Sequence, residues 1–176
     1  MKNHLLAFPL LFSILLTSCK KDDDPSPQGC CGQPAIEKEF GNAYAYIPNV
    51  FTPDQDGIND LLNVQGDSIS RIESLLIKNS NGVTVFEVSN LNHPNEQADW
   101  DGSTEGFIIP GLYEVTAILM SDNGIVQTLT GYVCNFPCGS ASFAPIEDIT
   151  QCQFPVQWDG NFNPLIPSGE QPSCFE

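Results

Sequence analysis

Between Tyr44 and Val133, apolar and polar residues alternate in short runs that break at turn-forming residues. Val83 and Val85 flank Thr84, and Val115, Ala117 and Leu119 follow the same two-residue spacing. A period of two gives a strand one face for a core and one for solvent. The runs "LLIKNSNGVTVFEV" and "LYEVTAILMSDNGIVQTLTGYV" carry Asn81-Gly82 and Asn123-Gly124 at their centres. That dipeptide suits a two-residue hairpin in which both turn positions take positive φ. No stretch beyond the N-terminal leader shows a 3.6-residue period. The pattern predicts an all-β chain, an antiparallel sandwich of about seven strands over residues 44–133.

The remaining apolar run, Leu5 to Leu16, follows one lysine and precedes Thr17, Ser18 and Cys19. About a dozen apolar residues are too few to cross a bilayer, so residues 1–18 are expected to be a secretory signal. Leu16-Thr17-Ser18-Cys19 resembles a bacterial lipobox, which implies acylation of Cys19 and an outer-membrane lipid anchor. The next ten residues, "KKDDDPSPQG", are charged and proline-bearing, and residues 19–43 are expected to form an extended tether. The Lys-then-acid order resembles the export tag of Bacteroidota surface lipoproteins and implies exposure at the cell surface; a plain solvated linker is the alternative.

Charge narrows the partners. The whole chain holds six basic residues against 22 acidic ones, a net charge of −16. Such a field repels phosphate backbones, so nucleic acid is excluded as a partner, and divalent cations are attracted. Beyond Cys19 stand six cysteines, Cys30, Cys31, Cys134, Cys138, Cys152 and Cys174. In an exported protein they are expected to pair as disulfides that staple an irregular Cys- and Pro-rich tail, residues 134–176, to the N-terminal side. Closing a loop of about a hundred residues stabilises by roughly 3–5 kcal/mol in the chain-entropy picture. Zinc is the competing use, and the single histidine after the leader, His93, gives it little support.

The stretch "IPNVFTPDQDGINDLL", residues 47–62, sets Asp54, Asp56 and Asp60 around Gly57. Alternate carboxylates in a tight loop, with a carbonyl such as that of Ile58, suit a hard cation, and Ca2+ in a structural role is the candidate. Calcium takes six to eight oxygens, so Asn59, Asp101 or water would have to complete the shell. The alternative is a solvated turn in which Asp54 or Asp60 caps backbone amides.

The segments "IPNVFTPDQDGIND", "LLIKNSNGVTVFE" and "WDGSTEGFIIPGLYEVTAIL" are similar, in order and spacing, to the gliding motility-associated C-terminal domain, the type B sorting domain of type IX secretion in Bacteroidota. The resemblance covers roughly residues 46–133 and implies an immunoglobulin-like β-sandwich. In that family the position of Asp54 is usually Asn, and the domain usually ends its protein. Here 43 residues follow Val133, and the strand "GIVQTLTGYVCNF" has no Lys or Arg. The domain is therefore read as a scaffold or interaction module that keeps the family's shape.

"DWDGSTEGFIIPG" and "QWDGNFNPLIPSG" repeat Trp-Asp-Gly followed by Ile-Pro and Gly. Trp100 is expected in the core, ahead of a turn. Trp158, with Phe162, is the candidate for stacking on a sugar ring. Ser68 and His93 do not make a credible hydrolase site, because one loop histidine on a β scaffold supplies no oriented base. The expected function is a non-enzymatic surface lipoprotein module for adhesion, gliding-associated or envelope protein interactions. A carbohydrate-binding accessory lipoprotein and a type IX sorting domain are the alternatives.

Overall fold

The computed structural model describes residues 32–138 and 149–170. The leader, Cys19, Cys30, Cys31 and Cys174 lie outside the described residues. Strand β5 (Ile69–Lys78) shows how an imperfect pattern still builds a core. Its buried residues stand at 69, 72, 75 and 77, a spacing that a regular strand would split between two faces. Against β9 (Gly111–Ser121) its register shifts between Ile69 and Arg71 and again between Ile72 and Ser74. Each bulge inserts one residue and returns the next apolar side chain to the inner face.

Two sheets face each other. One has the order β1-β2-β4, formed by Ile36–Phe40, Ala43–Ile47 and Gln65–Asp67. The other has the order β3-β10-β9-β5-β6, with β3 at Val50–Phe51, β6 at Thr84–Asn92 and β10 at Val126–Asn135. A small hairpin pairs β7 (Ser103–Thr104) with β8 (Phe107–Ile108). The core is continuous between the sheets: Ala45 and Ile47 from the first, Ile72, Leu75, Val115, Leu119 and Val133 from the second. A Cβ on Gly131 of β10 would stand 2.5 Å from the Ile36 side chain, so glycine there lets β1 close over the larger sheet.

The all-β sandwich is as expected, with ten strands among the described residues where alternation suggested about seven. Four of them, β3, β4, β7 and β8, are two or three residues long, too short to show a period, and β1 (Ile36–Phe40), which pairs with β2, lies inside residues 19–43, where an extended tether was expected. One of them departs from the antiparallel rule: β3 runs parallel to β10, Val50 opposite Cys134 and Phe51 opposite Asn135. The hairpins also close differently from expectation. The Asn79 N–H donates to the Val83 carbonyl and the Gly82 N–H to the Asn79 carbonyl; Ser121, Gly124 and Ile125 repeat the scheme. Only the glycine of each Asn-Gly pair has positive φ, +75° at Gly82 and +80° at Gly124. The loops are thus longer turns ending in a left-handed glycine, with the Asn79 side chain also accepting the Asn81 and Val83 amides.

The tail differs in what fastens it. It is irregular, with short 3-10 turns at Ile149–Gln151 and Pro155–Gln157. The expected stapling by disulfides is not seen as a bridge between any two described residues. Cys134, Cys138 and Cys152 are in the disulfide-bonded form, and the other cysteines of the set fall outside the described residues. Burial of Cys152 and Phe154 against Val50, Cys134 and Phe136, hydrogen bonds and ring stacking also hold the described tail. Trp158 lies on Tyr44 and Tyr46 with ring centroids 5.3 and 5.2 Å apart, and Phe162 lies 5.9 Å from Tyr46. These tyrosines point away from the core side of β2, so the tail covers the outer face of the smaller sheet.

Candidate functional site

The stretch from Asn49 to Leu62 leaves the larger sheet at β3, turns, and returns at Leu62, which is bridged to Trp100. Thr52 closes the turn by donating its N–H to the Asn59 carbonyl at 2.9 Å. Between them the backbone adopts positive φ at Gln55, Gly57 and Asn59, where a glycine and residues with hydrogen-bonding side chains are placed. The carboxylates satisfy this bent backbone. Asp60 accepts the Gln55 N–H on Oδ1 at 2.6 Å and the Gly57 N–H on Oδ2 at 2.8 Å. Asp56 accepts the Ile58 N–H at 2.7 Å, and Asp54 the Asp56 N–H at 3.2 Å.

The aspartates are therefore brought together, with one carboxylate oxygen from each within 4.8 Å of the others. Burial pushes the Asp54 carboxyl up; the Asp56 amide bond opposes this, and the charges of Asp56 and Asp60 add to it. A divalent cation would relieve that repulsion, and each carboxylate keeps a lone pair beyond its amide bond. The Ile58 carbonyl faces the Thr52 hydroxyl at 3.5 Å. Of the residues expected to complete a shell, Asn59 directs its side chain to the tail. Asp101 accepts the Ser103 N–H at 2.9 Å, and its carboxyl is held low by the Ser103 hydroxyl and amide.

The second partner of this loop carries no local sequence signal. Glu170, more than a hundred residues away, places its carboxylate beside Asp54 and Cys138, within the same 4.8 Å limit. Cys138 is disulfide-bonded and so brings no thiolate to a metal. Glu170 Oε2 accepts from the Thr52 hydroxyl and, at 2.8 Å, from the Asn59 amide. The Asn59 amide also donates to the Ser168 carbonyl at 3.2 Å, and its oxygen receives the Val156 N–H at 3.5 Å.

Asn49 repeats the arrangement at the other end of the motif. Its side chain is 1% exposed and fully engaged. The amide donates to the carbonyls of Gln33 at 2.6 Å and Gln151 at 2.8 Å, while its oxygen accepts the Gln153 N–H at 2.6 Å. The Asn49 carbonyl takes the Cys134 N–H. Asn49, Thr52 and Asn59 thus act as a clasp on the tail. Polar side chains buried this deeply must find partners, and here the tail backbone and Glu170 supply them.

Trp100 is buried, as expected, packed on Phe51, Phe86 and Tyr113, with its indole N–H donating to the Ser103 carbonyl. The Gly102 of Trp-Asp-Gly has φ +77°, and a Cβ there would come within 2.5 Å of the Asn135 amide. Trp158 and Phe162 are half-buried and spend ring surface on Tyr44 and Tyr46.

The family model of the CHU_C type IX secretion signal domain matches residues 45–134, just over half of the chain. No curated protein matches the chain, and no solved structure does. The matched span begins in β2 and ends in β10, enclosing the acidic loop, both Asn-Gly hairpins and the buried Trp100. The chain belongs to the type IX secretion signal domain family, which gives it a sorting-related role and marks it as a secreted or cell-surface protein.

Proposed function

We propose that the protein is a lipid-anchored module of the outer membrane that binds other surface or envelope proteins without catalysing a reaction, its secretion-signal fold serving as the scaffold. The observation that carries this reading is the clasp. The motif side chains Asn49, Thr52 and Asn59 are satisfied within the same molecule by residues 151–170. A face filled by the chain's own tail is built as part of a finished domain. The lipid on Cys19 rests on the leader sequence. Stacking of Trp158 and Phe162 on Tyr44 and Tyr46 favours protein over glycan as the partner, because part of the ring surface is spent inside the molecule. Calcium in the Asp54, Asp56 and Asp60 loop is part of the proposal, as a structural ion.

The test is surface display in a type IX-competent host. The full chain is expected to carry an acyl label and to be shaved from intact cells by protease. Cys19→Ala should lose the label and leave the membrane fraction. Deletion of residues 149–176 should leave acylation and membrane attachment in place while abolishing the native contacts with surface neighbours, read by cross-linking. Unchanged membrane partitioning of Cys19→Ala, or unchanged cross-links in the deletion, would contradict the reading.

A further inference from the structure

We propose that the cleft between the acidic loop and the β7–β8 hairpin docks an extended segment of another protein through a lysine or arginine side chain. This names the partner chemistry of the binding module proposed above and rests on that reading. The cleft has a volume of about 380 Å³. Asp101 supplies the carboxylate for a basic group; Asp60, engaged in the loop and in its proposed calcium site, borders the lining; and Pro53, Leu61 and Ile108 supply apolar walls. A basic side chain has the matching form, an apolar stem with a cation at its tip.

Charge and exposure both point to a cationic occupant. The described residues include three Lys or Arg, namely Lys38, Arg71 and Lys78, and the single ion pair among them joins Arg71 to Glu73 at 3.9 Å. No cationic side chain of the described structure therefore neutralises Asp101. Ser103 keeps Asp101 ionised through its amide and hydroxyl. Near the cleft Phe107 of the hairpin is 73% exposed and Ile109, two residues on, 49%, and Leu61 on the opposite lip is 40% exposed. Apolar side chains gathered around a charged cleft are the usual composition of a docking surface, with an aromatic anchor next to a desolvated charge pair. A second copy of this chain is a poor occupant, since each copy carries a net charge of −16.

The test uses the full mature protein in detergent micelles and fluorescein-labelled peptides of one length: one alternating Lys with Phe and Ile, one with Glu in place of each Lys, and one with Gln. The Lys peptide should bind, more weakly as salt rises, and the Glu and Gln peptides should bind at least tenfold less well. Asp101→Asn should weaken the Lys peptide about tenfold, equivalent to about 1.4 kcal/mol. Phe107→Ser, at an exposed position, should weaken it about threefold while leaving the melting temperature unchanged. Glu87→Gln, an exposed charge on the edge strand β6, should have no effect. Equal losses for Asp101→Asn and Glu87→Gln would overturn the proposal, as would equal binding of the three peptides. Self-association that blocks the cleft would also overturn it. Peptide binding by a protein that fails the surface-display test keeps this inference and discards the reading it refines; display without any peptide binding does the reverse.

Discussion

The sandwich and the tail are held by different physics. From Ile36 to Asn135 the chain is organised by a continuous apolar core, in which Ala45, Ile72, Val115, Leu119 and Val133 are fully buried. Residues 149–170 lie outside that core: Cys152 and Phe154 join a small second apolar cluster with Val50, Cys134 and Phe136, and the rest is fixed by point contacts, Asn49 at one end, Asn59 and Thr52 at the other, and the tyrosine–tryptophan stack between. Apolar burial is distributed, so single losses are partly absorbed by neighbours. Buried polar contacts are not, because removing one partner strands the other. The sandwich should therefore lose stability globally when damaged, and the tail should be released locally.

The largest effect tests the first half of that contrast. Trp100→Ala removes the ring that touches Phe51, Phe86 and Tyr113, and is expected to cost about 3–5 kcal/mol in urea unfolding, with tail and sandwich melting together. Next comes Asn49→Ala, which removes the side chain that bonds the Gln33 and Gln151 carbonyls and the Gln153 amide. It should cost about 2–3 kcal/mol, seen as protease cleavage within 149–170 while residues 36–135 stay resistant. Trp158→Ala should be milder, about 1 kcal/mol for the lost stacking on Tyr44 and Tyr46, and should raise the exposure of Tyr46 to quenchers.

The acidic loop carries the effects that depend on ions and pH. Calcium at a hundredfold its dissociation constant should stabilise by about 2.7 kcal/mol at most, and less if the unfolded chain also binds it. Asp56→Ala should abolish the calcium-dependent rise in melting temperature; a melt indifferent to chelator removes the ion from the account. In the absence of cation, Asp54 binds its proton more tightly in the folded state than in the unfolded chain, mainly through burial. Its contribution to stability is then fully present below the ordinary carboxylate range and is lost as pH rises through its folded pKa. Asp54→Asn should flatten that decline in a chelated pH series of melting temperatures.

The same contrast explains what the sequence could tell. Alternation at Val115, Ala117 and Leu119 revealed β9 because the period is a local property of the chain. The two Asn-Gly pairs located the hairpins, while the turn geometry depended on Asn79 and on the register shift near Lys78, which no dipeptide encodes. Asp54, Asp56 and Asp60 were legible as a cluster because the loop that joins them is short. Glu170 was not, since a single acid in an irregular tail carries no sign of a partner at Thr52 and Asn59. Asn49 read as part of a family motif, and its role in gripping Gln151 and Gln153 appears only once the chain is folded.

Amide hydrogen exchange at Gln153 tests the clasp most directly, because its N–H has the Asn49 side-chain oxygen as its acceptor. Exchange is expected to be slow in the native protein, and near the free-peptide rate in Asn49→Ala with β9 and β10 still protected. Free-peptide exchange of Gln153 in the native protein, or equal protection in the variant, would contradict it.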